Sequence, residues 1–374
     1  MDLVADMLLA QMQTNYSAEF KVTPICPPLR RRLTGAASAG VMSANVLRAT
    51  RFNADRFLNR FWDYPRHVSS IRSEFDLFHL IDHSYGQLVH ELPAEKTIVT
   101  CHDLDTFQCL LNPKAAPRSI YFRRMMERTL SGFRKAARVA CVSNATRVEL
   151  LAHDLIEPER VVVVSNGVHP AYTPAADPLA DEAVTDLLGP LDRSPGQTPE
   201  LLHVGSTIPR KRIDVLLRIF AAVRDEFPRA RLVRVGGAFT REQATLVSQL
   251  DLGDSVVVLP ALDRKLLASV YRRAALLLQP SEREGFGLPV VEALASGTAV
   301  VASDLPALRE VGGAAVVYCP VAEVQSWSET VTKLLRGRSG ESWGERREAG
   351  LAQAAKFSWA EHATKVAALY RELL

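Results

Sequence analysis

Two glutamates, Glu284 and Glu292, flank a glycine turn in the stretch SEREGFGLPVVEALASG at 281–297. The run before it, LLLQP at 276–280, is apolar and reads as a strand ending at Pro280. Pro289 suits the first position of a helix, so 289–296 reads as a short helix. In a parallel sheet, ligands sit at the carboxyl ends of the strands. The amides and positive dipole end of such a helix suit a phosphate or another anion. Gly285 and Gly287 let a ligand come close to the backbone. Carboxylates, by contrast, bind phosphate poorly and accept well from the hydroxyls of sugars and ribose. Glu284 in the loop and Glu292 in the helix therefore bracket a ligand that carries both groups, such as a nucleotide sugar. Ordinary helix capping and dipole compensation account for the same spacing, which alone leaves both readings open.

Other residues invite the same question. Arg210-Lys211-Arg212 opens an amphipathic segment at 212–227. Cations at a helix start oppose the dipole, so a local rule is broken without evident structural gain. That points to an anion, with a solvated helix start as the alternative. His102 closes the apolar run KTIVTC, at a strand end, with Asp103 beside it to orient it or to cap the next segment. His79, Asp82 and His83 form another polar cluster, but their spacing fits no common metal motif and no metal is expected. Asn166-Gly167 reads as a turn, and Ser143 and Asn144 as helix caps.

The elements that must position these residues alternate. Apolar runs at 201–205, 231–237, 255–260, 276–280, 299–303 and 315–319 read as strands, with amphipathic segments between most of them. The first half repeats the pattern at 75–82, 96–103, 138–143 and 160–167, with a helical pattern at 118–136. Such alternation predicts parallel sheets covered on both faces. The segment 169–199, rich in Pro, Ala and Asp, reads as mostly linker around one short helical pattern. The expected division is a first domain over 1–172, a linker over 173–199 and a second domain over 200–357, with the ligand cleft between the domains.

Composition bounds the answer. At 374 residues the chain suits two domains, and 47% hydrophobic with 23% charged residues is ordinary for a globular protein. A net charge of +3 gives no reason to expect nucleic acid. The five cysteines, Cys26, Cys101, Cys109, Cys141 and Cys319, are scattered without a C-x-x-C, so a reducing cytoplasm fits best. No apolar run approaches a membrane span, and the N-terminus lacks a signal-peptide layout. The segment 118–138 carries seven basic residues against one acidic, and Arg30–Arg32 is a second basic run; either suits anionic lipid or a solvated face.

The block SEREGFGLPVVEALASGTAVVASDLPALREVGG resembles the signature of family 4 glycosyltransferases, an E-x7-E motif with a G-F-G-L-P turn. HVGSTIPRKRIDVLL at 203–217 resembles the opening strand and helix of that family's second domain. Weaker matches at 100–103, 142–150, 162–174 and 357–373 extend the resemblance over roughly 70–374. It implies two Rossmann-like domains facing across a cleft, the GT-B arrangement, with the last helix, 358–374, crossing back. It implies a hexosyl-type transferase that moves sugar, with retention, from a nucleotide diphosphate sugar to a glycan, lipid-linked or small-molecule acceptor, with no cofactor. Glu284 would face the donor sugar and Glu292 the ribose, with the backbone of Gly285, Phe286, Gly287 and Leu288 against sugar and phosphates. Arg210 and Lys211 would hold the diphosphate, Gly205 and Ser206 would neighbour it, and His102 would lie near the reacting carbon. Ser206 stands where some members have arginine, and Arg212 where asparagine or glycine is frequent, so the diphosphate contacts are open to rearrangement. A sugar-nucleotide epimerase and a non-catalytic nucleotide-sugar binder remain as alternatives. The expected location is the cytoplasm, with peripheral contact at the inner membrane face.

The opening stretch departs from the family. MDLVADMLLAQM reads as a helix with Leu3, Met7, Leu8 and Met12 on one face and Asp2 as cap. A Rossmann-like domain normally opens with a buried strand and a glycine-rich turn. The first domain is therefore expected to lack its first strand, and the chain its natural beginning.

Overall fold

The computed structural model describes residues 2–34, 44–190, 198–338 and 340–374. Two compact units emerge, one of Met1–Val164 with His362–Leu374, the other of Ser165–Glu361.

The first unit holds four parallel strands: β1 Phe78–Leu80, β2 Thr97–Cys101, β3 Arg138–Cys141 and β4 Val161–Val163. They lie side by side in chain order, so the sheet contains no reversal. Alternate residues of β2 and β3 feed two apolar layers, as a sheet covered on both faces requires. Val99, Cys101, Val139 and Cys141 pack with Phe107 and Phe133. Ile98 and Ala140 pack with Leu8 and Met12 of helix Asp2–Asn15 and with Val366 and Ala367 of helix Trp359–Leu373. The first helix buries Val4, Leu8 and Met12 at four-residue spacing, while Leu3 and Met7, expected on that face, are half-buried. The Asp2 side chain lies outside the described ones. Among the described residues no strand precedes β1, which pairs with β2 alone.

The second unit holds β5 Glu200–Val204, β6 Arg231–Val235, β7 Val256–Leu259, β8 Leu276–Gln279, β9 Ala299–Ser303 and β10 Val317–Cys319. All are parallel, in the order β10-β9-β8-β5-β6-β7. After β7 the chain returns to the far side of β5 to begin β8, so the strand order reverses between β5 and β8. Connections diverge at such a reversal and leave a crevice at the strands' carboxyl ends, where open α/β sheets take their ligands. The core below it joins Leu201, Leu232, Leu278 and Val301 to Leu216 and Phe220 of helix Ile213–Glu226 and to Trp327 of helix Val324–Arg336.

The boundary differs from the expected one. The units divide between Val164 and Ser165, and much of the expected linker is folded into the second unit. Helix Pro178–Leu188 buries Ala180, Val184 and Leu188, and Asp181 accepts from Ser269 Oγ and Arg272 Nη2, both at 2.5 Å. An amphipathic stripe with a docking surface in reach does not stay a tether. Residues 191–197 lie outside the described ones. From His362 onward the last helix belongs to the first unit. No described helix is long and apolar enough to cross a membrane.

Candidate active site

The residues of the second unit come together at the β5/β8 reversal. Glu284, in the loop after β8, has a side chain only 6% exposed. Its carboxylate accepts from Lys211 Nζ at 2.6 Å, Gln279 Nε2 at 2.7 Å, Ser281 Oγ at 2.8 Å and Arg210 Nη1 at 3.2 Å. Gln279 closes β8, while Arg210 and Lys211 come from the turn Pro209–Lys211 after β5. The two loops are tied further, since the Glu282 amide donates to Arg210 O at 2.8 Å and Arg210 Nη1 to Arg283 O at 2.9 Å. Burial pushes the Glu284 carboxyl up, but Lys211 and then Arg210 outweigh it and hold the group below its ordinary range. It is ionised at neutral pH.

This corrects the picture of a bare basic run. Arg210 and Lys211 are met by Glu284, and Arg212 grips Asp214 through Nε at 3.1 Å and Nη2 at 3.0 Å. The cations also do not start a helix. Arg212 is the N-cap of helix Ile213–Glu226 at φ 49°, so Arg210 and Lys211 precede it. A left-handed conformation costs a residue with a side chain about 1–2 kcal/mol.

Glu292 lies in helix Leu288–Ala295 and is 7% exposed. Its Oε2 accepts from the Tyr271 hydroxyl at 2.9 Å, and the Tyr172 hydroxyl lies near enough to the same carboxyl to lower its pKa. The two tyrosine rings meet edge to face at 5.7 Å. Burial raises the carboxyl to about 7, against the two tyrosines and Arg264, which lower it. One carboxyl of the motif is thus ionised at neutral pH, while the other titrates near it.

Gly287 caps this helix at φ 102°, a conformation that favours glycine, and an added Cβ would meet Leu308 Cδ2 at 2.5 Å. No side chain caps the helix start. Gly285 is buried, and the Phe286 ring is buried edge to face against Phe357 at 5.6 Å, which leaves backbone rather than ring to meet a ligand. Leu288 is half-buried. Gly205 and Ser206 follow β5, with Ser206 exposed.

His102 belongs to the first unit. Its Nε2 lies 2.7 Å from Ile81 O. A carbonyl only accepts, so Nε2 carries the proton and Nδ1 is left as an acceptor. Burial lowers the ring's pKa and favours the neutral form. The His102 amide donates to His83 Nδ1 at 3.4 Å. His79 bonds Tyr370 Oη at 3.0 Å and Thr100 Oγ1 at 2.8 Å, and burial lowers it to about 3. His79 thus spends both nitrogens within the core.

Sequence reasoning passed over Gln279, Ser281, Tyr172 and Tyr271, the groups that hold the two carboxylates. Gln279 left a signal, as the polar end of an apolar strand. The tyrosines left none, because distant segments bring them to Glu292.

A parallel-sheet unit whose strand order reverses beneath a cationic loop is the frame of enzymes that bind phosphorylated ligands. Residues 11–172 match the family described as Glycosyltransferase Family 4, and residues 192–355 match Glycosyl transferases group 1. The chain belongs to the group 1/family 4 glycosyltransferases, enzymes of the GT-B fold. It is similar to the serotype-specific mannosyltransferase WbdA of Escherichia coli, 26% identical over 73% of this chain and 33% of that protein. The chain thus spans about a third of that relative's length. WaaG, a glycosyltransferase involved in lipopolysaccharide biosynthesis, shares the fold with a TM-score of 0.69 at 16% identity, over 98% of this chain and 95% of WaaG. Anabaena Alr3699/HepE, solved with UDP and glucose, gives 0.67 at 17% identity, over 83% and 82% of the two chains.

Proposed function

We propose that this transferase moves a hexose from a nucleotide diphosphate sugar to a glycan, lipid-linked or small-molecule acceptor, with retention at the anomeric carbon and without a cofactor. The observation that carries the reading is the Glu284–Lys211–Arg210 cluster at the β5/β8 reversal, beside the uncapped start of helix Leu288–Ala295. In the reaction the bond from the anomeric carbon to the diphosphate oxygen breaks, and the acceptor oxygen bonds that carbon on the same face. The acceptor's proton passes to the departing phosphate oxygen. Lys211 and Arg210 stabilise the negative charge that grows on the diphosphate. Glu284 then accepts from donor-sugar hydroxyls and Glu292 from the ribose. His102, neutral, offers Nδ1 to a sugar hydroxyl. The relative solved with UDP and glucose supports this ligand class.

The first unit supports a peripheral site at the inner membrane face. On helix Ile120–Lys135, Ile120 and Tyr121 are 63% and 78% exposed, with Arg118, Arg123 and Arg124 exposed around them. An apolar pair among cations suits the interface of an anionic bilayer. Sedimentation with phosphatidylglycerol vesicles, but not phosphatidylcholine vesicles, is expected; equal recovery with both would remove this element.

The test of the main reading is a thermal-shift panel of UDP, GDP and ADP sugars, since a ligand of the native state raises its melting temperature. The stabilising donor, radiolabelled in its sugar, should then yield free nucleoside diphosphate and labelled acceptor from a lipid or glycan extract. Isomerised donor without transfer would identify an epimerase, and tight binding without release a binding protein.

A further inference from the structure

Two wholly buried side chains of the second unit stand outside the cluster that holds Glu284. Arg234 in β6 and His203 in β5 are register partners, each with 0% exposure. Both interrupt strands whose neighbouring positions are aliphatic, Leu201 and Leu232 among them. Arg234 Nη2 donates to Gly205 O at 3.0 Å, Nη1 donates to Gly237 O, and the guanidinium lies 5.2 Å over the Phe239 ring. Among the described residues its Nε has no partner and no carboxylate pairs with it. Among the described residues neither ring nitrogen of His203 has a partner. Burial, then the charges of Arg234 and Lys211, lower His203 to about 3, so it is neutral.

A buried guanidinium without a counter-charge burdens a fold. Its location says what it serves. The carbonyls it holds belong to two turns at the carboxyl ends of β5 and β6. These turns touch: Gly236 has φ 128°, and an added Cβ there would lie 2.2 Å from Gly205 O. The Gly205 amide also donates to Val235 O at 2.9 Å. A Cβ added at Gly205 would lie 3.4 Å from the His203 ring and 3.8 Å from Lys211 Cδ, so both side chains back the same turn. Among the described residues the charges of Arg210 and Lys211 are met by Glu284, whereas that of Arg234 is met by two carbonyl dipoles and the face of the Phe239 ring, with no carboxylate.

We propose that Arg234 is a positioning residue of the diphosphate site. Its unneutralised guanidinium locks the Gly205 and Gly236–Gly237 turns together and holds a standing positive potential behind them, with His203 as its uncharged neighbour. The inference rests on the nucleotide-diphosphate reading above. It adds a cation that never touches the ligand and acts through the backbone that does.

The test is calorimetric titration of the full chain with inorganic pyrophosphate, and with whichever of UDP, GDP and ADP stabilises it most, at low and high salt. Arg234→Met removes the charge and keeps much of the volume. It should weaken pyrophosphate at least tenfold and flatten the salt dependence, because a fixed charge has been lost. Arg234→Lys keeps the charge but not the two-pronged grip, and should weaken pyrophosphate by roughly three- to tenfold while retaining the salt dependence. It carries the test where the methionine variant fails to fold. Wild-type pyrophosphate affinity in either folded variant, even with a lowered melting temperature, makes Arg234 a structural staple and overturns the proposal. Failure of the wild-type protein to bind pyrophosphate or any of the three nucleotides overturns the nucleotide reading itself, and the proposal with it.

Discussion

The loop that carries Glu284 and the helix that carries Glu292 each bury one carboxyl, within eight residues of one another, and treat it in opposite ways. Glu284 receives two cations, an amide and a hydroxyl, and stays ionised. Glu292 receives the Tyr271 hydroxyl, with Tyr172 nearby and no ion pair among the described residues, and burial carries it to about 7. Burial alone therefore does not decide the state of a carboxyl; the partners that share the burial do. One glutamate is a fixed anion bracing two loops, and the other is poised to gain or lose a proton near neutrality.

The largest effect expected from breaking this contrast is at Lys211. Lys211→Met leaves a buried carboxylate without its nearest cation and should cost about 3–5 kcal/mol at pH 7.5 in chemical denaturation. The sign with pH follows from the lowered pKa of Glu284. Such a group stabilises the fold above its unfolded pKa, and that contribution is lost as pH falls through the folded value. The cost of Lys211→Met should therefore shrink as pH falls below the unfolded value of 4.5 and through the lower folded one. Combining it with Glu284→Gln should restore most of the stability; strict additivity of the two losses would mean the pair does not interact. The same coupling implies that replacing Arg210 and Lys211 together by Ala lowers both turnover and melting temperature, since the clamp also ties the two loops together.

Glu292→Gln should act in the opposite direction. An unfolded glutamate titrates near 4.5 and the folded Glu292 at about 7. Between these values the unfolded state releases its proton first, so native stability falls as pH rises through that window. Glutamine does not ionise. The variant should match the wild type near pH 4 and exceed it by about 3 kcal/mol at pH 8. A gain independent of pH would place the titration elsewhere.

Glu284→Gln bears on the chemistry as well as on the architecture, so its kinetics are read on the folded variant. Losing a charge-assisted bond to the donor should cost about 1.5–3 kcal/mol, a roughly 10- to 150-fold fall in kcat/KM, while Glu292→Ala should chiefly weaken nucleoside diphosphate binding. Equal losses of nucleotide affinity in the Glu284 and Glu292 variants would end the division between sugar side and ribose side. The smallest effect belongs to Tyr271→Phe. Removing one hydroxyl should cost about 1 kcal/mol and push the Glu292 carboxyl further up, read by carbon-detected NMR of the labelled side chain.

The strands, the two-unit organisation and the loop that holds Glu284 were all legible in the sequence, because each rests on local pattern. Apolar runs at 276–280 and 299–303 bounded by turn residues read as buried strands, and a glycine turn before Pro289 reads as the opening of a helix after one of them. The family signature sits in the same local stretch. The polar side chains within β5 and β6 were also visible, as His203 and Arg234 breaking apolar runs, but a one-dimensional pattern does not say that two breaks face each other. A short helical pattern within 169–199 was visible too, but not that it docks: Ala180, Val184 and Leu188 form a stripe whose docking surface lies on another segment.

What tertiary structure alone decided is the company each functional side chain keeps. Sequence places Glu284 and Glu292 on one loop and one helix, and their chemistry is identical there. Parallel strands joined by crossovers then bring Lys211 from the turn after β5 to one of them, and Tyr172 and Tyr271 from two other segments to the other. Electrostatic interaction depends on distance through space and on shielding from water, neither of which spacing along a chain reports. The residue types were therefore set by the sequence, and the proton each carboxyl keeps or loses was set by the fold.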